Sequence, residues 1–350
     1  LAEDLGNRLL PVFNSPTGLP YRYVNLKTGK VRGKITNPAE AGTLLIEFGT
    51  LSKLTHKQIF YDKAKQALVG IYNRRSSIGL VGTWINVETG EWTDMDSHIS
   101  GAIDSYYEYL LKCAILFDDR DCRRMWTNSI AAINRYLSDE IRPAHITVPG
   151  PPIKELWYGH ADMNTGKRTA TTYGSLDAFF PAVLALSGDI DRAQRLQESS
   201  YNMWEKHDIE PEEINYQTME VTSPGYPLRP EIVESTYYLF HFATKGQLRP
   251  LGTQLPAPQR ANRDTWDRLI ADYFLRAGQR MFRDFVKYCR TPEGYAALKS
   301  VVTKEPSDSM QSFLFAETFK YFYLLFAPPK TLYFDRIVFN TEAHPIRRTW

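Results

Sequence analysis

Residues 44–54 read LLIEFGTLSKL, a stretch in which leucine and phenylalanine return every three or four positions. Side chains at that spacing lie on one face of an α-helix, so the stretch predicts an amphipathic helix. The same period runs through most of the chain. It predicts further helices over residues 59–74, 103–117, 121–136, 175–186, 190–206, 230–244, 266–288 and 310–326.

Strand-like segments are few and short. Residues 79–87 and 88–92 predict a hairpin with a glycine-containing loop, residues 26–30 predict a turn, and residues 337–339 predict a short strand. Helices that stack in pairs around a ring bury their apolar stripes against each other. The pattern favours an all-α fold, an α/α toroid with short β-hairpins in its loops. A plain helical bundle and an open helical solenoid are the alternatives.

Two segments interrupt the helical pattern. Residues 247–263 (QLRPLGTQLPAPQRANR) contain three prolines and no apolar period, which is typical of a surface insertion. Residues 149–152 (PGPP) form a second break. Neither shift in composition indicates a domain boundary, so we expect a single domain over residues 1–350.

Composition limits the function classes. Of the 350 residues, 43% are hydrophobic and 13% aromatic, which supplies a sizeable core and excludes intrinsic disorder. Lys and Arg together number 42 against 40 for Asp and Glu, so the chain lacks the basic surplus that binds nucleic acid. The longest apolar stretch, residues 319–327, is too short to span a bilayer, so we expect no transmembrane segment.

The cysteines indicate little by themselves. Cys113, Cys122 and Cys289 are too few for a disulfide framework, and no Cys/His set has zinc spacing. Cys113 and Cys122 flank a short acidic turn at residues 118–121. We therefore expect these two residues to lie on neighbouring helices.

Carboxylates stand inside segments that are otherwise apolar and aromatic. Each one alone fits a solvent-facing residue, or an acid that the helix dipole favours at an N-terminus. Together, beside so many aromatic residues, they predict one acidic, aromatic-lined pocket. The acids concerned are Glu47, Asp104, Glu108, Glu231, Glu234, Glu317 and Glu342.

Such a pocket suits glycoside hydrolysis. That reaction needs one carboxylic acid to protonate the leaving oxygen and one carboxylate to activate water. Aromatic side chains offer flat apolar surfaces on which the CH faces of a pyranose rest. Additional acids suit a hard cation such as Ca²⁺, which takes oxygen ligands.

Five segments occur in an order that points to a family: LIEF at 45–48, DSYYEYL at 104–110, RPEIVES at 229–235, AET at 316–318 and FNTEAHP at 339–345. The chain resembles glycoside hydrolase family 47, the α-1,2-mannosidases, over nearly its whole length. It is most similar to the ER degradation-enhancing α-mannosidase-like proteins. Ala102 supports that branch, because the ER mannosidases that trim a single middle-branch mannose carry Arg at this position.

The resemblance implies an (α/α)7 barrel with Ca²⁺ at its floor and inverting hydrolysis of terminal α-1,2-linked mannose. It implies that Glu47 is the general acid, acting through a water, that Glu231 is the general base, and that Asp104 is a third essential acid. Thr341 would bind Ca²⁺ through its hydroxyl and carbonyl oxygens, and Phe313 would lie under the mannose ring. The residues that would hold the metal's waters and the sugar hydroxyls are Glu108, Glu234, Glu317 and Glu342.

The chain also departs from the family pattern. The family begins with a helix pair that supplies an active-site acid, and this sequence starts at Leu1 without it, so we expect the first helix pair to be missing and the domain to be N-terminally incomplete. Gln311 stands in MQSF at 310–313 where the family usually has Glu. This change removes one charge near the predicted pocket.

The resemblance further implies a role in the lumen of the endoplasmic reticulum. The substrates would be high-mannose N-glycans on misfolded glycoproteins, which trimming marks for degradation. A protein disulfide isomerase-type oxidoreductase would be a partner, and Cys113 or Cys122 could take part. Two alternatives stay open: a glycan-binding receptor with negligible turnover, and a toroid that serves only as an interaction scaffold.

Overall fold

The computed structural model describes residues 1–142, 154–248 and 260–349. The break predicted at residues 149–152 and most of the insertion predicted at 247–263 lie outside the described residues. In chain order the α-helices are α1 (Ala2–Leu9), α2 (Pro38–Gly42), α3 (Leu45–Thr55), α4 (Gln58–Asn73), α5 (Asp104–Phe117), α6 (Arg120–Tyr136), α7 (Phe180–Ser187), α8 (Ile190–His207), α9 (Glu231–Thr244), α10 (Arg260–Cys289) and α11 (Phe319–Phe326).

The predicted helices are confirmed, with differences at their ends. The helix predicted at 175–186 begins with a 3₁₀ turn, Leu176–Phe179, and the one predicted at 310–326 begins with a π-helical turn, Leu314–Thr318. Helix α10 starts six residues before its predicted start at 266, inside the predicted insertion. Helix α1 was not predicted; it is only eight residues long, and Gly6 is its one buried residue.

The strands are short and antiparallel. The predicted hairpin is confirmed as Trp84–Asn86 paired with Trp92–Asp94, and Ile337–Phe339 pairs with Pro345–Arg347. Most other strands were not predicted, because two to four residues are too few to show an alternating pattern. They are Tyr23–Val24, Val31–Arg32, Ile35–Thr36, Asp96–Ser97, Ser138–Ile141, Glu155–Tyr158, His160–Asp162, Arg168–Ala170, Thr172–Gly174, Glu213–Asn215, Glu220–Ser223, Leu298–Ser300 and Glu305–Pro306.

The chain forms two compact units. Unit 1 comprises Leu1–Ser138, Gly159–Ala170 and Phe334–Trp350, and unit 2 comprises Asp139–Tyr158 and Thr171–Tyr333. In unit 1, helix α5 packs against α2, α3 and α6 and is buried along nearly its whole length. A helix that is apolar on most sides belongs in a core, which explains this position.

Two features fix the ends of α5 and α6 in unit 1. Helix α5 ends at Phe117, and the residue that caps it, Asp118, adopts a left-handed conformation (φ 50°). Asp119 then caps α6, since its carboxylate accepts a 2.8 Å hydrogen bond from the backbone N–H of Cys122. Cys113 and Cys122 lie on these packed helices, as predicted; both thiols, and that of Cys289, are buried and free.

In unit 2, helix α9 occupies the corresponding central position. It packs against α7, α8, α10 and α11, and most of its side chains are buried. Polar contacts tie it to its neighbours: Gln197 on α8 donates to the Thr236 hydroxyl at 2.8 Å, and the Ser235 hydroxyl donates to the carbonyl of Ala178 at 2.6 Å. Among the helices that the structure describes, none combines the length and apolar character needed to cross a membrane.

Candidate active site

Glu47 lies in the first turn of α3 with an exposed side chain that two polar groups hold in place. Its Oε1 accepts hydrogen bonds from the Tyr109 hydroxyl at 2.6 Å and from Asn340 Nδ2 at 2.8 Å. The backbone N–H of Thr341 donates to the same tyrosine oxygen at 3.4 Å. Three of the five sequence segments, the first, second and last, therefore meet within unit 1.

Asp104 and Glu108 lie on α5, as the spacing predicts, and their environments differ. Asp104 is half-buried and accepts a 2.9 Å hydrogen bond from the Ser105 hydroxyl. Glu108 is buried and forms an ion pair with Lys112, one turn further along the helix and equally buried. Sequence reasoning missed Lys112, although its spacing of four residues from Glu108 is a recognisable signal.

The turn at residues 340–343 presents oxygen atoms beside Glu47. The Asn340 side-chain oxygen accepts from the backbone N–H groups of Glu342 at 3.1 Å and His344 at 2.7 Å, which shapes the turn. Ala343 takes a left-handed conformation (φ 55°). Thr341 is half-buried and Glu342 is exposed. Hydroxyl, carbonyl and carboxylate oxygens are the donors that a hard cation prefers, so this turn fits Ca²⁺.

Glu231, in unit 2, is the first residue of α9. The chain reaches it through Leu228, whose φ of 70° is unusual for a side chain of that size, and whose carbonyl accepts a 2.8 Å hydrogen bond from the Thr318 hydroxyl. Glu231 is half-buried, and its Oε2 is enclosed without a hydrogen-bond partner among the described residues. Burial raises the pKa of Glu231 to about 8, against the opposing charge of Arg229.

Arg229 organises the polar groups before α9. Its guanidinium donates to both carboxylate oxygens of Glu212, at 2.9 and 3.2 Å, and lies 5.5 Å from the ring centroid of Phe313. Phe313 is half-buried, so part of the ring stays accessible. Sequence reasoning did not find Glu212, because it stands in the strongly acidic run EPEE at 210–213, which looks like a solvated loop.

Two further predicted acids of unit 2 are buried. Glu234 is one turn along α9 from Glu231 and accepts a 2.9 Å hydrogen bond from the Tyr321 hydroxyl. Glu317 is buried in the π-helical turn that precedes α11. The predicted acids thus form two clusters: Glu47, Asp104, Glu108 and the 340–343 turn in unit 1, and Glu231, Glu234 and Glu317 with Phe313 in unit 2.

A third polar cluster was not predicted. Asp96, His98 and His160 each bring one potential ligand atom within 4.8 Å of the others. His160 Nδ1 lies 2.6 Å from Asp96 Oδ2, and the two imidazole rings stack at 4.4 Å. Burial disfavours ionisation of Asp96, but hydrogen bonds from His160 and Thr169 outweigh it and lower the pKa of Asp96. Burial and the neighbouring His160 lower the pKa of His98 to about 3.

This histidine cluster differs from the oxygen-lined turn at 340–343. Asp96 is already engaged by His160 and by Thr169, whose hydroxyl donates at 2.6 Å. Imidazole nitrogens suit transition metals, whereas Ca²⁺ takes oxygen ligands. The carboxylate of Asp96 is therefore already engaged, and the two imidazoles do not match the oxygen ligands expected for calcium.

The family model for glycosyl hydrolase family 47 matches residues 1–257 and 268–348. Alpha-mannosidase I MNS5 of Arabidopsis thaliana is 37% identical over 99% of this chain and 54% of its own length. Human ER degradation-enhancing alpha-mannosidase-like protein 3 is 36% identical over 98% of this chain and 34% of its own length.

One solved structure is similar over nearly the whole chain. The α-1,2-mannosidase from Trichoderma reesei superposes with a TM-score of 0.79 at 24% identity, covering 98% of this chain and 73% of that one. This likeness shows the fold, an α/α barrel, and confirms the predicted fold class. The chain spans about half the length, or less, of the curated relatives it matches.

Proposed function

The chain belongs to glycosyl hydrolase family 47, and from that premise we propose that it hydrolyses terminal α-1,2-linked mannose with inversion. The observation that carries the proposal is the environment of Glu47. Hydrogen bonds from Tyr109 and Asn340 hold its carboxylate beside Thr341, so three segments far apart in sequence converge on one acid. Convergence of this kind is expected at a catalytic centre and is not needed for a solvated surface residue.

In the proposed reaction, Glu231 is the general base and Glu47 is the general acid. Glu231 takes a proton from the attacking water, whose oxygen forms the new bond to the anomeric carbon. The glycosidic C–O bond breaks, and the leaving oxygen takes the proton that Glu47 supplies through a water. In inverting glycosidases generally, the acid and base carboxyl groups stand roughly 6.5–9.5 Å apart, which leaves room for the attacking water. Asp104 is the third essential acid.

Binding of the sugar is assigned to the remaining predicted residues. Phe313 would lie under the mannose ring, with Arg229 against the ring of this phenylalanine. Thr341 would hold Ca²⁺ through its hydroxyl and carbonyl oxygens; when bound, the ion polarises vicinal hydroxyls and adds positive charge to the pocket. The acids that would orient the sugar hydroxyls are Glu108, Glu234, Glu317 and Glu342.

The proposed setting is the lumen of the endoplasmic reticulum. The relatives named as ER degradation-enhancing proteins support substrates of the high-mannose N-glycan class, carried on misfolded glycoproteins that trimming marks for degradation. A protein disulfide isomerase-type oxidoreductase remains a proposed partner. Because burial raises the pKa of the Cys113 thiol well above its ordinary value, a mixed disulfide through that residue is disfavoured.

A second candidate function is glycan binding with negligible turnover. The pKa of about 8 for Glu231 favours this alternative, because the assigned base would then be largely protonated at neutral pH. The Phe313 ring and the oxygen-lined turn would still serve binding. In this candidate Glu231 stays protonated when glycan is bound, whereas hydrolysis requires it to be ionised.

The test is a mass-resolved profile of free high-mannose oligosaccharide and of a denatured glycoprotein, before and after incubation with the protein, with Ca²⁺ and with EDTA. We expect stepwise loss of mannose with Ca²⁺ and little loss with EDTA, and ¹H NMR should show that the first sugar released is the inverted β-anomer. Glycan retention on the immobilised protein without trimming over long incubation would favour the receptor. If the protein retained neither glycan nor Ca²⁺, the result would favour the alternative in which the toroid serves only as an interaction scaffold.

A further inference from the structure

Glu210 is an acid to which neither the sequence motifs nor the mechanism assigns a role. It lies between the end of α8 and the strand Glu213–Asn215, and its side chain is 0% exposed. Neither of its carboxylate oxygens has a hydrogen-bond partner among the described residues. An isolated charge in such a place is very costly, whereas a neutral carboxylic acid is tolerated. Glu210 is therefore protonated in this environment.

The backbone places Glu210 against the start of α9. Glu212, two residues on, accepts both hydrogen bonds from Arg229, which stands two residues before Glu231. The backbone N–H of Glu212 donates to the carbonyl of Gly225 at 2.8 Å, on the segment that leads into the helix. Residues 210–212 and the segment that ends at Glu231 are thus fastened together in unit 2.

The charges around this corner are mostly negative. Among the described residues, Arg229 is the cation that acts on both acids, and it already forms an ion pair with Glu212. Burial and the neighbouring Glu231 and Glu212 raise the pKa of Glu210 well above its ordinary value. The groups that act on Glu210 are Glu231, Glu212, Arg229, Tyr173 and Tyr226, and those that act on Glu231 are Arg229, Glu234, Glu212, Glu210 and Tyr226.

We propose that Glu210, as a neutral carboxylic acid, is a positioning residue for Glu231 and directs its O–H, directly or through one water, at the Oε2 oxygen of the Glu231 carboxylate. The Oε2 atom of Glu231 and both carboxylate oxygens of Glu210 are enclosed without a partner among the described residues, so that one group can donate and the other can accept. The assignment rests on the proposed role of Glu231 as general base.

This arrangement has a definite consequence for catalysis. A hydrogen bond to the charged form of an acid favours ionisation, so the Glu210 O–H makes it easier for Glu231 to lose its proton. An ionised Glu210 would act in the opposite direction, since a second negative charge would make Glu231 hold its proton more tightly. A neutral Glu210 and an ionised Glu210 therefore shift the pKa of Glu231 in opposite directions. Substitution of Glu210 by an uncharged residue distinguishes the two.

The experiment compares the pH dependence of kcat/KM for mannose release by the wild-type protein, Glu210→Gln and Glu210→Met, with Glu220→Gln on an exposed strand as control. Glu210→Gln keeps a neutral donor, and its acidic limb should stay within about 0.3 pH unit of the wild type. Glu210→Met removes the donor, and its acidic limb should move up by about one pH unit, a roughly tenfold loss at low pH. A downward move of that size in Glu210→Gln would overturn the proposal, as would an unmoved limb in folded Glu210→Met.

A second measurement does not depend on activity. The infrared difference spectrum of wild type minus Glu210→Gln at neutral pH should contain the carbonyl band of a protonated carboxyl, and Glu231→Gln should displace that band. Mannose release without such a band would overturn the role of Glu210 and leave the proposed function standing. A displaced band in a protein that releases no mannose would support the Glu210–Glu231 contact while the proposed function fails. If Glu210→Met does not fold, the pH profile of Glu210→Gln and the infrared band test the role of Glu210.

Discussion

Two carboxylates of unit 1, Glu47 and Glu108, and two of unit 2, Glu231 and Glu210, are held in opposite ways. In unit 1, donors surround them: Tyr109 and Asn340 bond to Glu47, and Lys112 is paired with Glu108. In unit 2, Glu231 has an enclosed oxygen without a partner among the described residues, and Glu210 has two. Donors stabilise the charged form of an acid, and burial without donors stabilises the protonated form.

The burial of Glu231 runs against the role that the family resemblance assigns to it. Glu47, the assigned general acid, is exposed and accepts two hydrogen bonds. A general base must lose its proton, yet burial raises the pKa of Glu231 to about 8. The assigned role of Glu231 as base therefore requires that the loaded pocket favour its ionised form.

The largest expected effect comes from separating these roles by substitution. Glu47→Gln and Glu231→Gln should each lower kcat for an α-1,2-linked mannobiose by about 10²–10⁴-fold, the usual contribution of a general acid or base. With an α-mannosyl fluoride, whose leaving group needs no proton, Glu47→Gln should regain most of its rate and Glu231→Gln should not. Both rates are measured as sugar release by chromatography at saturating substrate. If Glu231→Gln regained its rate on the fluoride and Glu47→Gln did not, Glu231 would be the general acid and Glu47 the general base.

The helices and the acidic motifs could be predicted from the sequence. The hydrogen-bond partners of the acids could not. The period in residues 44–54 found α3 because an amphipathic helix repeats one simple spacing. Glu47 was found as an acid out of place in that pattern. Its donors were not, since Asn340 is 293 positions away and only the folded chain brings the two together.

Glu210 shows a different limit. In the run EPEE at 210–213, each acid looks like a solvent-facing residue, and single-sequence reasoning has no means to tell that one of them is 0% exposed. Lys112 lies between these cases, because its spacing from Glu108 was visible while the burial of both partners was not. Local patterns therefore predict elements and candidate acids, whereas charge states depend on burial that arises in three dimensions.

The second expected effect tests how strongly unit 1 depends on its paired charges. Lys112→Met leaves Glu108 as an uncompensated buried charge, and the free energy of unfolding should fall by about 3–5 kcal/mol. The double variant Lys112→Met with Glu108→Gln should recover most of that loss, because it leaves no charge behind. Urea unfolding followed by circular dichroism gives both values. The matched control is Lys53→Met on the last turn of α3, and a loss as large in that variant would show that the Lys112–Glu108 pair is not special.

The smallest expected effect tests unit 2 through the pH dependence of stability without metal. Because burial raises the pKa of Glu231 from an ordinary 4.5 to about 8, the folded chain keeps a proton in that range which the unfolded chain has released. Its contribution to stability is complete below the unfolded pKa and is lost as pH rises through about 8. The free energy of unfolding should therefore fall by about 1.4 kcal/mol per pH unit from this group.

Urea unfolding in EDTA between about pH 5.5 and about pH 7.5 measures that slope. Glu198, whose pKa burial raises to about 7, and Glu210 add slopes of the same sign, so the wild-type slope contains several groups and only a difference isolates Glu231. Glu231→Gln should flatten the curve by the contribution of one proton, and the exposed Glu220→Gln should leave it unchanged. An equal slope in wild type and Glu231→Gln would mean that Glu231 is already ionised in the ligand-free protein. The contrast between the two units would then lie in their hydrogen bonds and not in their charge, and Glu231 would need no cation to act as a base.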